Sequence, residues 1–377
     1  MKFNISSKAF YSSASAVSKV ISSKNALAIL DNFLLTLDSE KSILTITGSD
    51  QENALSARVQ VEDPQGNGSV CVGARRLVEL LKELPEQGIS VEVDDDTLEM
   101  QISYQAGHYS FVCLPGAQYP EFSPEVSEQA ASFTIATEQM TAGLDNTMFA
   151  ASTEEYRQAM MGVRFDVMPE KIVFAATDTR KLVRYTDSRT APGVTASGTI
   201  PVKAAGIIKN VLGRDESLNV TMYARSARLE SEHITFQLTF LGGNYPDYNR
   251  VIPRNNPNVL TIDRLSLLNA VRRVGIFVEV DGGLEKFRFG QDLVLIKSND
   301  PSLCTSAREQ VPCNYSGNEL TIGFNASYLV EILSTLRTSE IAVELGDAAR
   351  PGVFKPMEEP ENTELVMLLM PMTVSDF

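Results

Sequence analysis

Imidazole and thiol are scarce in this chain. Its 377 residues include two histidines, His108 and His233, and four cysteines, Cys71, Cys113, Cys304 and Cys313. Two histidines nearly exclude a histidine-built zinc site and leave little for imidazole acid–base catalysis. They precede Phe111 and Phe236 by the same three residues, and repetition at matching strand positions predicts a structural role. No cysteines form a C-x-x-C pair. Wide spacing in a long chain fits reduced cytosolic thiols, not a disulfide scaffold. The remaining candidates are the carboxylates of Asp94-Asp95-Asp96, Glu154-Glu155 and Glu358-Glu359. A hydrolase or transferase could use such pairs. These lie in polar, turn-like contexts without a glycine-rich phosphate loop, and solvated acids explain them better. The expectation is no catalytic residue, no metal and no cofactor.

Charge is more informative. The chain has 33 Lys+Arg against 48 Asp+Glu, a net −15, with a pI near 4.7. That balance argues against coating nucleic acid by bulk charge. Segments with helical apolar spacing reverse the sign. The windows 6–24, 73–84, 137–151, 201–214, 262–277 and 324–337 hold 13 basic and 6 acidic residues, which is +7 and leaves −22 elsewhere. A basic surface within an acidic protein attracts a polyanion to one place and repels it from others. Lys19, Lys209, Arg272 and Arg273 are candidates on this argument alone. A peptide-binding adaptor that never meets DNA is the competing reading.

These helices belong to a repeat. Phe3-Asn4-Ile5, Phe133-Thr134-Ile135 and Leu260-Thr261-Ile262 each lead into a helical segment with a capping Ser, Thr or Asp at its start. Val72-Gly73, Ile200-Pro201 and Ile322-Gly323 each open a second one, Ile200 lying 128 residues after Val72 and Ile322 lying 122 after Ile200. Leu114 to Phe122 matches Phe240 to Tyr248 as a closing strand, and Leu365 to Met372 closes the last unit. Period-two segments such as Ile43 to Gly48 read as antiparallel strands between the landmarks. The class is α+β, with three similar domains at 1–127, 128–254 and 255–377, each two helices on antiparallel sheet. No run of about 18 apolar residues exists to span a membrane, and the first residues lack an apolar signal core, so the cytoplasm is expected.

Six helices side by side, about 9 Å apart, would close a circle of roughly 17 Å with almost no hole. Twelve would close one of roughly 35 Å, leaving about 25 Å clear, enough for a nucleic acid duplex. Two copies supply twelve.

Several segments carry a family resemblance: Leu27-Ala28-Ile29-Leu30-Asp31-Asn32-Phe33-Leu34-Leu35, Leu44-Thr45-Ile46-Thr47-Gly48-Ser49-Asp50, Ala176-Thr177-Asp178-Thr179-Arg180-Lys181-Leu182, Tyr245-Pro246-Asp247-Tyr248, Ile322-Gly323-Phe324-Asn325 and Met370-Pro371-Met372. In order and spacing the whole chain resembles the beta subunit of bacterial DNA polymerase III, the sliding clamp. The resemblance implies a non-catalytic processivity factor, a head-to-tail homodimeric ring that encircles duplex DNA without reading sequence. Its implied partners are the replicative polymerase's catalytic subunit, the clamp loader, and other polymerases and repair factors that carry a clamp-binding peptide. It implies a shared partner groove at Met160, Thr177, Thr179, Arg180, Leu182, Pro246, Val251, Tyr328, Leu368, Met370, Pro371 and Met372. It implies DNA contacts at Lys24, Arg75, Arg76, Arg157 and Lys203, and a subunit contact of Tyr109 and Phe111 with Ile276 and Phe277. Thr179-Arg180-Lys181 departs from the family's usual Gly-His-Arg, and Thr373 to Phe377 extends past the point where many relatives stop.

Overall fold

The structure is a computed structural model that describes residues 1–22, 24–122, 131–213, 216–253, 255–279 and 283–374. It divides into two compact units, Met1–Glu138 with Lys203–Phe240, and Gln139–Val202 with Leu241–Phe377. Among the described residues there are six α-helices: α1 Ser7–Val17, α2 Ala74–Glu83, α3 Thr137–Thr147, α4 Val202–Ile207, α5 Arg264–Val274 and α6 Ala326–Thr335. A π-helical turn, Ile208–Leu212, prolongs α4.

The first unit holds a five-stranded sheet, ordered Glu62–Gln65, Lys2–Ser6, Gly88–Val93, Glu99–Tyr104, Gly107–Val112. Its second sheet has nine strands, in which Asn53–Gln60 pairs with Ile234–Thr239. Helix α1 buries Phe10, Ala14 and Val17, and α2 buries Ala74, Leu77 and Leu81, the three- and four-residue spacing of one helix face. Gly48 lets α1 approach the sheet, since a Cβ there would lie 2.9 Å from Val17 Cγ1.

The second unit repeats the plan. Its nine-stranded sheet joins Lys181–Asp187 to Thr363–Leu369, and its four-stranded sheet runs Thr305–Pro312, Leu293–Asp300, Leu284–Phe289, Leu320–Asn325. Helices α5 and α6 pack on each other. Of the expected caps, Asp263 at α5 is present and accepts from the Ser266 amide (2.7 Å), whereas Ser6 at α1 makes no side-chain cap hydrogen bond; α6 is capped by Asn325, which accepts from the Tyr328 amide (3.2 Å). Every recorded strand pairing is antiparallel.

Three sequence expectations are corrected. The closing strands are Gly107–Val112, Ile234–Thr239 and Thr363–Leu369, while Leu114 to Phe122 holds a two-residue strand and a 3-10 turn. The helices are shorter than their windows and carry nine basic and five acidic residues, so their charge is +4, not +7. Lys19 and Lys24 lie beyond the end of α1. The two histidines are not equivalent. His108 pairs with Ser103 within a strand, whereas His233 lies in the turn before Ile234–Thr239.

Candidate functional site

Since the elements repeat, equivalent ladder positions can be compared. Asp50, Asp178 and Asp300 accept turn amides from Asn53 (2.7 Å), Lys181 (2.8 Å) and Leu303 (3.1 Å) respectively. The residues before them, Ser49, Thr177 and Asn299, pair with Ala54, Leu182 and Ser306. With this register the two nine-stranded sheets align position by position.

One face of the sheet in the second unit carries Val173, Ala175, Leu182, Val353, Val366 and Leu368. The equivalent positions in the first unit are Thr45, Thr47, Ala54, Arg228, Thr235 and Gln237. The polar version folds, so the apolar version is not a demand of the architecture. Tyr248 packs on the apolar face with Tyr245 and Ile252. The Tyr248 hydroxyl donates to Asp166 (2.7 Å), and burial raises its pKa. In the same segment Pro246 and Val251 are exposed. The surface is apolar and adaptable, with methionine at its edge.

Two residues before Leu182 and two after Leu368, Arg180 and Met370 line a recess of about 560 Å³ that Tyr328, Pro371 and Met372 also line. The turn between them is held from within. The Thr177 hydroxyl donates to the Lys181 carbonyl (2.7 Å) and accepts the Thr179 amide (3.1 Å). The Met370 amide donates to the Arg180 carbonyl and that of Met372 to the Gly323 carbonyl, both at 2.8 Å. Lys181, only 5% exposed, pairs with Glu331 (2.6 Å) and Asp178 (3.2 Å) and lies 4.4 Å from the centre of the Tyr328 ring. Thr179 has φ 76, rare for a β-branched residue, and strain of this kind gathers at functional sites.

The expected groove residues therefore separate by role. Leu182 and Leu368 belong to the apolar floor, and Arg180, Tyr328, Met370, Pro371 and Met372 to the recess. Thr177 is buried and holds the turn, which places it behind the surface. Met160 is half-buried, and its carbonyl accepts the Ser152 amide. The sequence reading missed Phe149, Lys181 and Glu331. Only a register could have found Val173 and Val353, since their alternation resembles that of any strand.

Arg157 lines the recess and lies on the 3-10 segment Glu155–Met160, not on an α-helix. Its Nη1 donates to the Asp178 carbonyl (2.7 Å) and Thr179 Oγ1 (2.6 Å), and its Nε pairs with Glu154 (3.1 Å). These partners engage its guanidinium inside the unit. The other expected DNA contacts differ in freedom. Lys203 Nζ donates to the Val20 carbonyl (3.0 Å) and pairs with Asp50. Arg75 pairs with Glu79 at 2.9 Å while its side chain is 90% exposed. Arg76 and Lys24 are exposed, and among the described residues neither side chain has an ion-pair partner. Arg273 pairs with Glu309, and Arg272 donates to Ser334.

Tyr109 and Phe111 are half-buried on Gly107–Val112, an edge strand. Ile276, 77% exposed, and Phe277 lie on the 3-10 turn Gly275–Phe277 after α5. Burial pushes the thiols of Cys71, Cys113 and Cys313 up to about 11, so they stay protonated and weakly nucleophilic at neutral pH. Among the described residues, no cluster of three or more His, Cys, Asp or Glu is placed to hold a metal.

Comparison with known proteins agrees across the full length. Residues 1–123, 134–247 and 249–373 match the N-terminal, central and C-terminal domains of the DNA polymerase III beta subunit. The chain belongs to the DNA polymerase III beta-subunit family. It is 27% identical to the beta sliding clamp of Pseudomonas aeruginosa over 377 residues, covering 99% of this chain and 100% of that one. Against the Synechococcus elongatus beta sliding clamp it is 28% identical over 365 residues, covering 94% and 95%. The solved sliding clamp of P. aeruginosa superposes with a TM-score of 0.92 at 25% identity, and that of Bartonella birtlesii with 0.91 at 26%, each covering 99% of this chain and 100% of the other. Within the beta-subunit family the three-domain clamp fold accounts for the repeat.

Proposed function

We propose that two copies of this chain close head to tail into a ring around duplex DNA, with domains at 1–127, 128–254 and 255–377. The chain is a DNA polymerase III processivity clamp. The polymerase, the loader and other factors dock by a short apolar peptide on the Leu182–Leu368 surface and the adjoining recess. The chain performs no chemistry of its own and works in the cytoplasm.

The supporting observation is the sheet bookkeeping. Each nine-stranded sheet joins a five-strand half to a four-strand half. Gly107–Val112 ends the remaining five-stranded sheet and Thr305–Pro312 ends the remaining four-stranded one. Unpaired edges invite strand addition. The two internal junctions set the register. Phe236 pairs with Leu55 and Met367 with Val183, all 0% exposed. Their ladder equivalents at the free edges are Tyr109 and Ala307, both half-buried. Tyr109 therefore meets Ala307 of the partner subunit.

In a Cys304→Ser background, Tyr109→Cys with Ala307→Cys should oxidise to a covalently closed dimer, and Tyr109→Cys with Arg308→Cys should not. Equal yields would refute the register. A monomeric mass at micromolar concentration would refute the ring.

A further inference from the structure

We propose that Arg180 makes this protein select partner peptides that carry a carboxylate next to their apolar anchor. The inference rests on the peptide-groove reading and deepens it.

Three acids and three cations line the recess. Each acid is already held. Glu154 pairs with Arg157 and accepts from the Tyr156 hydroxyl (2.7 Å). Asp178 accepts the amides of Arg180 and Lys181 (both 2.8 Å) and pairs with Lys181. Glu331 pairs with Lys181 at 2.6 Å. Two of the cations are thereby occupied. Arg180 is exposed, and among the described residues its guanidinium has no partner. The recess carries no net charge, since Lys181 is shared by two carboxylates, but among these six ionic groups the Arg180 guanidinium is the one left without a direct partner.

The base of that charge is fixed. The Arg180 amide is held by Asp178, and its carbonyl accepts the Met370 amide at 2.8 Å. Two residues on, Leu182 enters the apolar floor. A peptide whose apolar side chain rests on Leu182 and Leu368 brings its neighbouring residue toward a guanidinium that offers fork geometry to a carboxylate. A glutamine there would leave Arg180 unpaired, and a lysine would be repelled. The carboxylate is that of a Glu or Asp side chain beside the anchor.

The test uses the full-length protein and hexapeptides of Ser and Gly that carry two leucine anchors. The residue beside one anchor is Glu, Gln or Lys, and each peptide is made amidated or with a free C-terminus. Binding is read by fluorescence polarisation at low and high salt. The Glu peptide should bind about fivefold tighter than the Gln peptide at low salt, with the gap shrinking at high salt. Arg180→Gln should erase the gap, and Arg180→Glu should reverse it in favour of the Lys peptide. A gap that separates only the free from the amidated C-terminal forms, with Glu and Gln alike, overturns the side-chain assignment. Equal binding of Glu and Gln peptides in both C-terminal forms, or a gap that survives Arg180→Gln, overturns the role of Arg180 and leaves the groove standing. If the peptides bind but Leu368→Asp leaves their binding unchanged, the groove reading itself falls.

Discussion

Glu285 shows how much one residue can store. Its side chain is fully buried, and among the described residues neither carboxyl oxygen has a hydrogen-bond partner. A Cβ on Gly275 would lie 3.3 Å from its Oε1, so it sits directly beneath the turn that bears Ile276 and Phe277. Burial pushes its pKa up to about 8. For an acid whose folded pKa is raised, the fold binds the proton more tightly than the unfolded chain does. Its contribution to stability is complete below pH 4.5, falls as pH rises toward 8, and is flat above. The unfolding midpoint of the wild type should therefore drop across that window by an amount worth a few kcal/mol. Glu285→Gln should remove this part of the slope, as urea titrations at a series of pH values would show. Parallel slopes in the two proteins would mean that Glu285 finds a partner in solution.

At the scale of elements, legibility followed periodicity. The helix starts and the strand alternation were readable because spacing of three and four, or of two, is written into the chain. Helix ends were not, and including Lys19 and Lys24 inflated the helical charge. The histidine match failed for a similar reason: counting back from a phenylalanine ignores the ladder, in which Tyr109, not Phe111, corresponds to Phe236. The apolar floor was visible only as motif fragments, because its residues come from separate strands that a register alone aligns. The tail illustrates an element with two roles. Met370 and Met372 each donate a backbone amide to the sheet and line the recess. Deleting 370–377 should lower stability by about 1–3 kcal/mol, the worth of two hydrogen bonds. It should abolish stimulation of polymerase while leaving the dimer mass unchanged. Normal stimulation by the truncated chain would move the docking site elsewhere. The edge gives the opposite separation. Ile276→Asp with Phe277→Asp should yield a folded monomer by sedimentation, because charge buried without a partner costs several kcal/mol. An unchanged dimer would remove that turn from the subunit contact.

At the scale of the whole molecule, the question is how an acidic protein retains DNA. A net charge of −15 opposes approach at long range, and the helices' +4 is already within that total, with −19 on the other residues (−15 − 4). Lys203 and Arg157 are already engaged by Asp50 and Glu154, so of the proposed phosphate contacts Lys24 and Arg76 are the freer ones. Few contacts mean a shallow salt dependence and weak, sequence-blind binding to short linear duplex. Retention must then come from closure. On a covalently closed circle the loaded protein should persist when salt is raised, since in the proposed ring escape requires parting Gly107–Val112 from the partner's edge strand and not merely losing phosphate contacts. Linearising the circle should release it within the time needed to slide off an end. Lys24→Ala with Arg76→Ala should weaken binding to linear duplex and slow loading, yet barely shorten residence on the intact circle. Equal loss from circular and linear DNA at high salt would show that charge alone holds the protein, and the closed ring would have to be abandoned.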